Sequence, residues 1–203
     1  MKKNKISKNW INQQRRDIYV WQSKMEGYRS RAVYKLQEIN EKYKILKNSI
    51  SVLDLGAAPG SWSQFVSRKF NKSKIVSIDL KEMEKITNTH QIKGDFTDKL
   101  QQKKLINYLG TKIEVVISDM AADTTGNKSI DSLATGELTL EALNFSTNIL
   151  KNNGIFVSKI FMGSSFNETV KTGKEYFKEV KVFKPKSSRK DSKENFIICK
   201  YLR

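Results

Sequence analysis

The sequence predicts an α/β fold in which helices cover both faces of a seven-stranded, mostly parallel sheet. Two observations predict this class. Short apolar runs alternate with segments whose apolar residues recur at helical spacing, as expected for consecutive strand–helix units. Only two prolines, Pro59 and Pro185, interrupt this pattern.

Seven strands and four helices are predicted. The strands are Ser51–Leu55, Lys74–Asp79, Gln91–Lys93, Ile113–Ser118, Ile155–Phe161, Val180–Phe183 and Asn195–Tyr201. The helices cover residues 29–44, 62–70, 132–150 and 168–177. Asn153 and Gly154 follow the third helix and are typical of a helix stop.

The first predicted helix has one apolar and one polar face. The apolar stripe, at helical spacing, comprises Val33, Leu36, Ile39 and Tyr43. The opposite face carries Arg31, Lys35, Glu38 and Lys42. On pattern alone, we expect that polar face to be exposed to solvent.

The charge is concentrated at the two ends of the chain. The formal net charge is +17; residues 1–50 hold 13 Lys/Arg against 4 Asp/Glu, and residues 171–203 hold 11 against 4. Residues 51–170 are almost neutral, with 14 against 13. Because concentrated positive charge is what a phosphate backbone binds, this distribution predicts a nucleic-acid partner.

We predict a basic N-terminal arm, residues 1–28, followed by a single domain, residues 29–203. Three aromatic residues of the arm, Trp10, Tyr19 and Trp21, are candidates for stacking on unpaired bases. Packing against the domain is the alternative for these three side chains.

Several classes are disfavoured by composition. No apolar run approaches the length of a bilayer span, and no secretory signal follows the charged N-terminus. Cys199 is the only cysteine and His90 the only histidine, so a disulfide within the chain is excluded and a metal site is not expected. We expect a cytoplasmic, membrane-free monomer.

The predicted sheet places the ligand site at the carboxyl ends of its strands. The polar residues there are Asp54, Asp79, Asp119 and Lys159, together with the loop after Leu55. That loop, Gly56-Ala-Ala-Pro-Gly60, lets a ligand approach the backbone, but it matches neither a dinucleotide fingerprint nor a P-loop. A nucleoside with a small charged tail is therefore the predicted ligand.

Two acids follow this loop at suitable positions. Asp79 lies about 20 residues after Gly56, the interval at which an acid meets ribose hydroxyls in related folds. Asp95 occupies the next such turn, after Gly94. Both acids also suit ordinary turns or helix caps, which remains the alternative.

Lys159 interrupts an otherwise apolar predicted strand. A central parallel strand is buried on both faces, so a lysine within it requires a partner. Asp119 ends the neighbouring predicted strand and can supply that partner. The pair is a candidate functional site; the alternative is a surface lysine near a strand end.

The motifs DLGAAPGSWSQ, GDF, SDMA, SKIF and ENFIIC stand in this order between Asp54 and Cys199. Together they resemble the FtsJ/RrmJ (RlmE) family of ribosomal-RNA 2′-O-methyltransferases, from Ser30 to the C-terminus. The chain departs from the usual family pattern at Ser61, where a glycine is common, and at Ala122, where a proline is common. We expect Ser61 to cap the helix that follows.

The resemblance implies a Rossmann-like class I methyltransferase with S-adenosylmethionine as cofactor. It implies a catalytic tetrad of Lys35, Asp119, Lys159 and Glu194, although the sequence pattern alone favours exposed surface positions for Lys35 and Glu194. The implied cofactor contacts are Gly56, Gly60, Trp62, Asp79, Asp95 and Asp119. The implied substrate is a uridine ribose in the aminoacyl-tRNA-binding loop of 23S rRNA, in the large ribosomal subunit.

Lys159 would accept the proton of the 2′-hydroxyl during in-line methyl transfer. Free lysine has a pKa of about 10.4. Burial, Lys35 and the sulfonium charge of the cofactor are each expected to lower the pKa of Lys159 towards neutrality. Asp119 would orient the amine, and Glu194 would hold Lys35 or the ribose.

Three alternatives stay open on the sequence alone. The chain could methylate the ribose of tRNA or of an mRNA cap. It could be a non-catalytic RNA-binding factor in ribosome assembly. A small-molecule methyltransferase is a third class, which the polarised basic charge disfavours.

Overall fold

The computed structural model describes residues 16–122, 126, 128–163, 165–189 and 192–203. Within these residues the strands are β1 Ser51–Leu55, β2 Lys74–Asp79, β3 Thr89–Lys93, β4 Ile113–Ser118, β5 Leu150–Phe161, β6 Phe177–Phe183 and β7 Glu194–Leu202. The helices are α1 Ile18–Met25, α2 Val33–Tyr43, α3 Ser61–Lys69, α4 Lys99–Leu109, α5 Lys128–Ile149 and α6 Phe166–Tyr176.

The strands form one seven-stranded sheet in the order β3-β2-β1-β4-β5-β7-β6. Strands β1 to β5 are parallel to one another, while β7 runs antiparallel to both β5 and β6. The predicted mostly parallel sheet is confirmed. The strand order reverses between β1 and β4, and a ligand crevice is expected at the carboxyl side of such a reversal.

Helices pack against both faces of the sheet. Alternate residues of each strand point to opposite faces, so Leu53 joins one core and Val52 the other. Helices α4, α5 and α6 cover the first face, and α2 and α3 cover the second. The predicted stripe of α2 is buried in the second core, with Tyr43 half-buried at its end.

The expectation that the polar face of α2 is exposed holds for Lys42 but was wrong for Arg31, Lys35 and Glu38, which are half-buried. The connection between β6 and β7 lies against this face. Glu38 accepts hydrogen bonds from the backbone N–H groups of Lys186 and Ser187, at 2.6 and 2.8 Å. Lys42 Nζ lies 4.5 Å from the centre of the Phe183 ring. Charged residues of this face therefore contact the segment that connects β6 to β7.

Several element boundaries differ from the prediction. Helix α4 was not predicted, and α1 lies within the predicted arm. Strand β5 begins at Leu150 and β6 at Phe177, where helix ends were expected. Gly60 is the N-cap of α3 and the Ser61 hydroxyl lies 2.8 Å from that of Ser30, so Ser61 does not cap the helix.

Tyr19 and Trp21 of the predicted arm have different surroundings. The Tyr19 ring packs against Tyr34 at 5.4 Å, whereas Trp21 is largely exposed. Trp10 lies outside the described residues. In the part of the chain that the structure describes, no helix combines the length and apolarity needed to cross a membrane.

Candidate active site

The loop after β1 forms a tight backbone cradle. Gly56 has a φ of +69°, which strongly favours glycine, and a Cβ there would lie 2.1 Å from Met120 Cγ. Its N–H donates to Ile78 O on β2 at 2.9 Å. The Ala58 N–H donates to Asp79 Oδ2, also at 2.9 Å. The loop is thus fastened to β2, and its small residues leave space above the strand ends.

That space is a cavity of about 240 Å³ at the carboxyl ends of the strands. Gly56, Asp79, Asp95 and Asp119 line it. A small hollow of about 40 Å³, whose lining includes Gly56, Trp62 and Asp119, lies next to it. A wider, open cavity of about 630 Å³ lies at the amino ends of the strands. None of the predicted site residues line it.

Asp79 and Asp95, the two acids expected to contact a nucleoside ligand, line the cavity and also stabilise turns. Asp79 Oδ1 accepts from the Lys81 N–H at 2.8 Å. Asp95 Oδ1 accepts from the N–H and the hydroxyl of Thr97, at 2.8 and 2.7 Å. Each acid therefore both stabilises a turn and lines the cavity.

Neither Gly60 nor Trp62 lines the 240 Å³ cavity itself. Gly60 has a φ of +101°, and a Cβ there would meet Ile86 and Arg29. Trp62 is buried, and its indole N–H donates to Ala32 O at 2.8 Å. Trp62 therefore ties α3 to the start of α2 while its ring reaches the small hollow.

Four predicted residues come together on one face of the sheet. Asp119, Lys159 and Glu194 have the same alternation parity as strand residues of the α2-side core, so they point towards α2. Lys159 Nζ lies 3.1 Å from Asp119 Oδ1 and donates to the Asp119 backbone carbonyl at 2.6 Å. Lys35 Nζ, from α2, lies 3.6 Å from Asp119 Oδ2 and 2.7 Å from Glu194 Oε2.

The four side chains form an alternating chain of charges, Lys159–Asp119–Lys35–Glu194. Lys159 is 7 % exposed and Glu194 9 %. Burial by itself would raise the pKa of Asp119, but Lys159 and Lys35 outweigh it and hold that pKa below its usual value. Burial would lower the pKa of Lys35, but Asp119 and Glu194 raise it above its usual value. Lys35 and Asp119 are therefore a charged pair.

Sequence reasoning missed the residues that support the tetrad. Ser188 donates from its hydroxyl to Glu194 Oε1 at 2.7 Å, and Glu38 holds the turn that carries Ser188. The Glu38 contact has no local signal, because Glu38 and Ser187 are 149 residues apart in the chain. Glu38 lay on a face expected to be exposed.

The described residues contain no group of three or more His, Cys, Asp or Glu side chains placed to hold a metal ion. The wall of the cavity instead offers carboxylates and a glycine cradle. Carboxylates accept hydrogen bonds from hydroxyl and amino groups, which suits a nucleoside bearing an amino-acid tail.

Known proteins of similar sequence and structure extend over most of the chain. The FtsJ-like methyltransferase family model matches residues 28–202. A protein of Pelagibacter ubique named ribosomal RNA large subunit methyltransferase E is 66 % identical, covering all of both chains. A protein of the same name in Rickettsia bellii is 42 % identical, covering 95 % of this chain and 88 % of its own.

A crystal structure described as a ribosomal RNA methyltransferase of Plasmodium falciparum is also similar. It superposes with a TM-score of 0.78 at 35 % identity, covering 86 % of this chain and 98 % of the other. The fold and these similarities thus define a Rossmann-like α/β protein of the methyltransferase class. The chain belongs to the FtsJ-like methyltransferase family, and S-adenosylmethionine is its methyl donor.

Proposed function

We propose that this protein transfers a methyl group to the 2′-oxygen of a uridine ribose in 23S rRNA, in the aminoacyl-tRNA-binding loop of the large subunit. The observation that carries the proposal is a buried lysine, Lys159, paired with Asp119 beside a nucleoside-sized cavity. The names of relatives at 66 % and 42 % identity support large-subunit rRNA over the other RNA classes. We further propose that it acts as a monomer in the cytoplasm, without a metal ion.

The cofactor would occupy the cavity at the ends of β1, β2 and β4. S-adenosylmethionine, when bound, supplies an electrophilic methyl group on a positively charged sulfur. Asp79 and Asp95 would accept hydrogen bonds from its hydroxyl and amino groups, and Gly56 and Gly60 would leave room for its tail. Trp62 would close the inner end of the site, and Asp119 lies on the wall shared with the tetrad.

Lys159 would receive the proton of the 2′-hydroxyl as its oxygen attacks. The amine must be neutral at that moment, so one proton must leave it before the reaction. The Asp119 carbonyl and carboxylate would fix the direction of the amine before the reaction. They would also stabilise the ammonium that forms on proton transfer.

Lys35 and Glu194 would complete the site from α2 and β7. Lys35 lies between the two carboxylates and partly neutralises both. Its ammonium group lies at Oδ2 of Asp119, while Lys159 lies at Oδ1 of the same carboxylate. Glu194 holds Lys35 in place and would also contact the ribose of the substrate.

Replacing Lys159 tests the proposed reaction. We expect Lys159→Ala to lower methyl transfer to large ribosomal subunits about a hundred- to ten-thousandfold, because it removes the proton acceptor. Binding of S-adenosylmethionine, measured by calorimetry, should be nearly unchanged. The product is mapped by the resistance of the methylated ribose to alkaline cleavage. Lys151→Ala, which removes a half-exposed lysine of the same strand, is the control.

The outcomes separate the rival functions. Retained methylation by the Lys159→Ala variant would refute the assigned role. Methyl transfer to tRNA but not to large subunits would favour the tRNA alternative. A wild-type protein that binds RNA but shows no heat with S-adenosylmethionine would be an assembly factor without catalysis.

A further inference from the structure

The turn between β6 and β7 is held by the same helix that supplies Lys35. The carboxylate of Glu38 uses both oxygens: Oε2 accepts from the Lys186 N–H at 2.6 Å, and Oε1 from the Ser187 N–H at 2.8 Å. A carboxylate that accepts two adjacent backbone N–H groups fixes both the position and the orientation of that turn. Lys35 and Glu38 are three residues apart, so they share one face of α2.

The turn is further closed and buried. The Ser188 N–H donates to Pro185 O at 3.0 Å, and the Arg31 guanidinium donates to Ser187 O. Ser187 is 0 % exposed and Ser188 is 6 % exposed, although the turn connects two strands. The backbone groups of the turn and the Ser188 hydroxyl have specific partners, which hold the connection in one arrangement, whereas the Ser187 hydroxyl is buried without a partner.

Ser188 connects this fixed turn to the tetrad through Glu194. Its hydroxyl donates to Glu194 Oε1 at 2.7 Å, which leaves Oε2 to accept from Lys35 at 2.7 Å. The two oxygens of Glu194 are therefore held by groups that approach from different elements. Without the Ser188 hydroxyl, the carboxylate could rotate and release Lys35.

We infer that Glu38 and Ser188 are positioning residues of the active site, which act by fixing Glu194 and through it Lys35. The inference rests on the proposed function of the tetrad. Neither residue lines the cofactor cavity, so neither is expected to touch the cofactor. A displacement of about 1 Å in a catalytic group can lower the rate about a hundredfold.

Ser188→Ala should therefore lower kcat about ten- to a hundredfold while KM and the affinity for S-adenosylmethionine stay nearly constant. Ser188→Thr retains the hydroxyl and should stay within about twofold of wild type. Ser146→Ala removes another fully buried hydroxyl, one that bonds only within α5, and should leave kcat unchanged. Equal losses in Ser188→Ala and Ser146→Ala would overturn the inference.

A double-mutant cycle separates positioning from a merely structural effect. If Ser188 acts through Glu194, the double variant Ser188→Ala/Glu194→Gln should match the kcat of Glu194→Gln alone, within about twofold. If the two losses multiply, Ser188 acts independently of Glu194 and the inference is wrong.

Amide hydrogen exchange tests the Glu38 contact without an activity assay. In Glu38→Gln, one backbone N–H loses its acceptor, so the Lys186 or Ser187 amide should exchange at least about tenfold faster. Glu41→Gln, an exposed acid on the same helix, is the matched control. Unchanged exchange in Glu38→Gln would overturn the inference. A wild-type protein that fails to methylate large subunits would instead contradict the proposed function, and the exchange data would still judge the contact.

Discussion

Asp54 is a carboxyl group buried at the carboxyl end of β1. It is 1 % exposed, and its Oδ2 accepts from the Ser63 hydroxyl at 2.7 Å. Burial raises the pKa of Asp54 to about 7; the Ser63 hydrogen bond opposes this rise, and the charges of Asp119 and Asp79 add to it. Asp54 is therefore half protonated near neutral pH, in contrast to Asp119 close by.

Asp54 should make the protein less stable as the pH rises. In the unfolded chain the carboxyl loses its proton near pH 4, and in the folded chain near pH 7. Between these values the folded state binds more protons, so the free energy of unfolding falls with increasing pH. Asp54→Asn removes this loss. Relative to wild type, we expect the variant to gain about 3 kcal/mol between pH 5 and pH 8.

Urea unfolding at several pH values measures that gain. Glu175→Gln, which removes an exposed carboxylate of α6, is the control for the change in net charge. Parallel stability curves for wild type and Asp54→Asn would show that the carboxyl is not buried as described.

Single residues of the site differed in how far the sequence could predict them. Lys159 and Asp119 follow from strand patterning, because Ser118 pairs with Ser158 and the next residues of the two strands lie side by side. Lys35 and Glu194 are 159 residues apart, and their contact depends on how α2 crosses the sheet. No local pattern encodes that crossing, so only the family resemblance placed them together.

At the scale of elements, α6 packs closely against β6 and β7 through Gly173. A Cβ at this position would lie 3.1 Å from Cys199 Sγ and 3.5 Å from Ile197 Cδ1. The glycine thus lets the helix approach the sheet, and the helix buries the thiol completely. Burial also raises the pKa of the Cys199 thiol, which disfavours the reactive thiolate.

A larger side chain at position 173 should separate this helix from the sheet. We expect Gly173→Leu to lower the free energy of unfolding by at least about 2 kcal/mol, because overpacking forces the helix away from β7. Cys199 should then react with a thiol reagent at least ten times faster than in wild type, in line with about 1.4 kcal/mol per factor of ten.

The rate of thiol labelling under native conditions measures this separation. Lys174→Leu introduces the same leucine side chain at an exposed position of the same helix and should leave the rate unchanged. Equal labelling of wild type and Gly173→Leu would contradict the close packing of α6.

The elements that sequence reasoning missed bury little apolar surface. Only Gln102 and Leu105 are buried in α4, and Leu100 is largely exposed, so a helical stripe is hardly visible. The two ends of α4 have clearer capping signals in the sequence. The Asp98 side chain caps the first turn, and Gly110 ends the helix with a φ of +65°. Strands β1, β2 and β4 were predicted to the residue because both of their faces are apolar.

At the scale of the whole molecule, the two ends of the strands differ in their distance from the site. The exposed lysines Lys186 and Lys193 flank the tetrad, one in the turn held by Glu38 and the other next to Glu194. Lys72 and Lys74 are also exposed but lie at the start of β2. Six residues of strand place Lys74 about 17 Å from the end that carries Asp79.

RNA binding should depend on the first lysine pair and not on the second. Each phosphate contact that is lost reduces the slope of log affinity against log salt by about 0.7 to 0.9. The double variant Lys186→Gln/Lys193→Gln should therefore bind large-subunit rRNA more weakly, with a slope lower by about 1 to 2. Lys72→Gln/Lys74→Gln removes the same net charge and should leave the slope unchanged. Filter binding across about 50 to 200 mM salt distinguishes the two variants. Equal slopes would mean that total charge, rather than its position beside the tetrad, governs binding; because the two variants have the same net charge, only a localised RNA surface can make them differ.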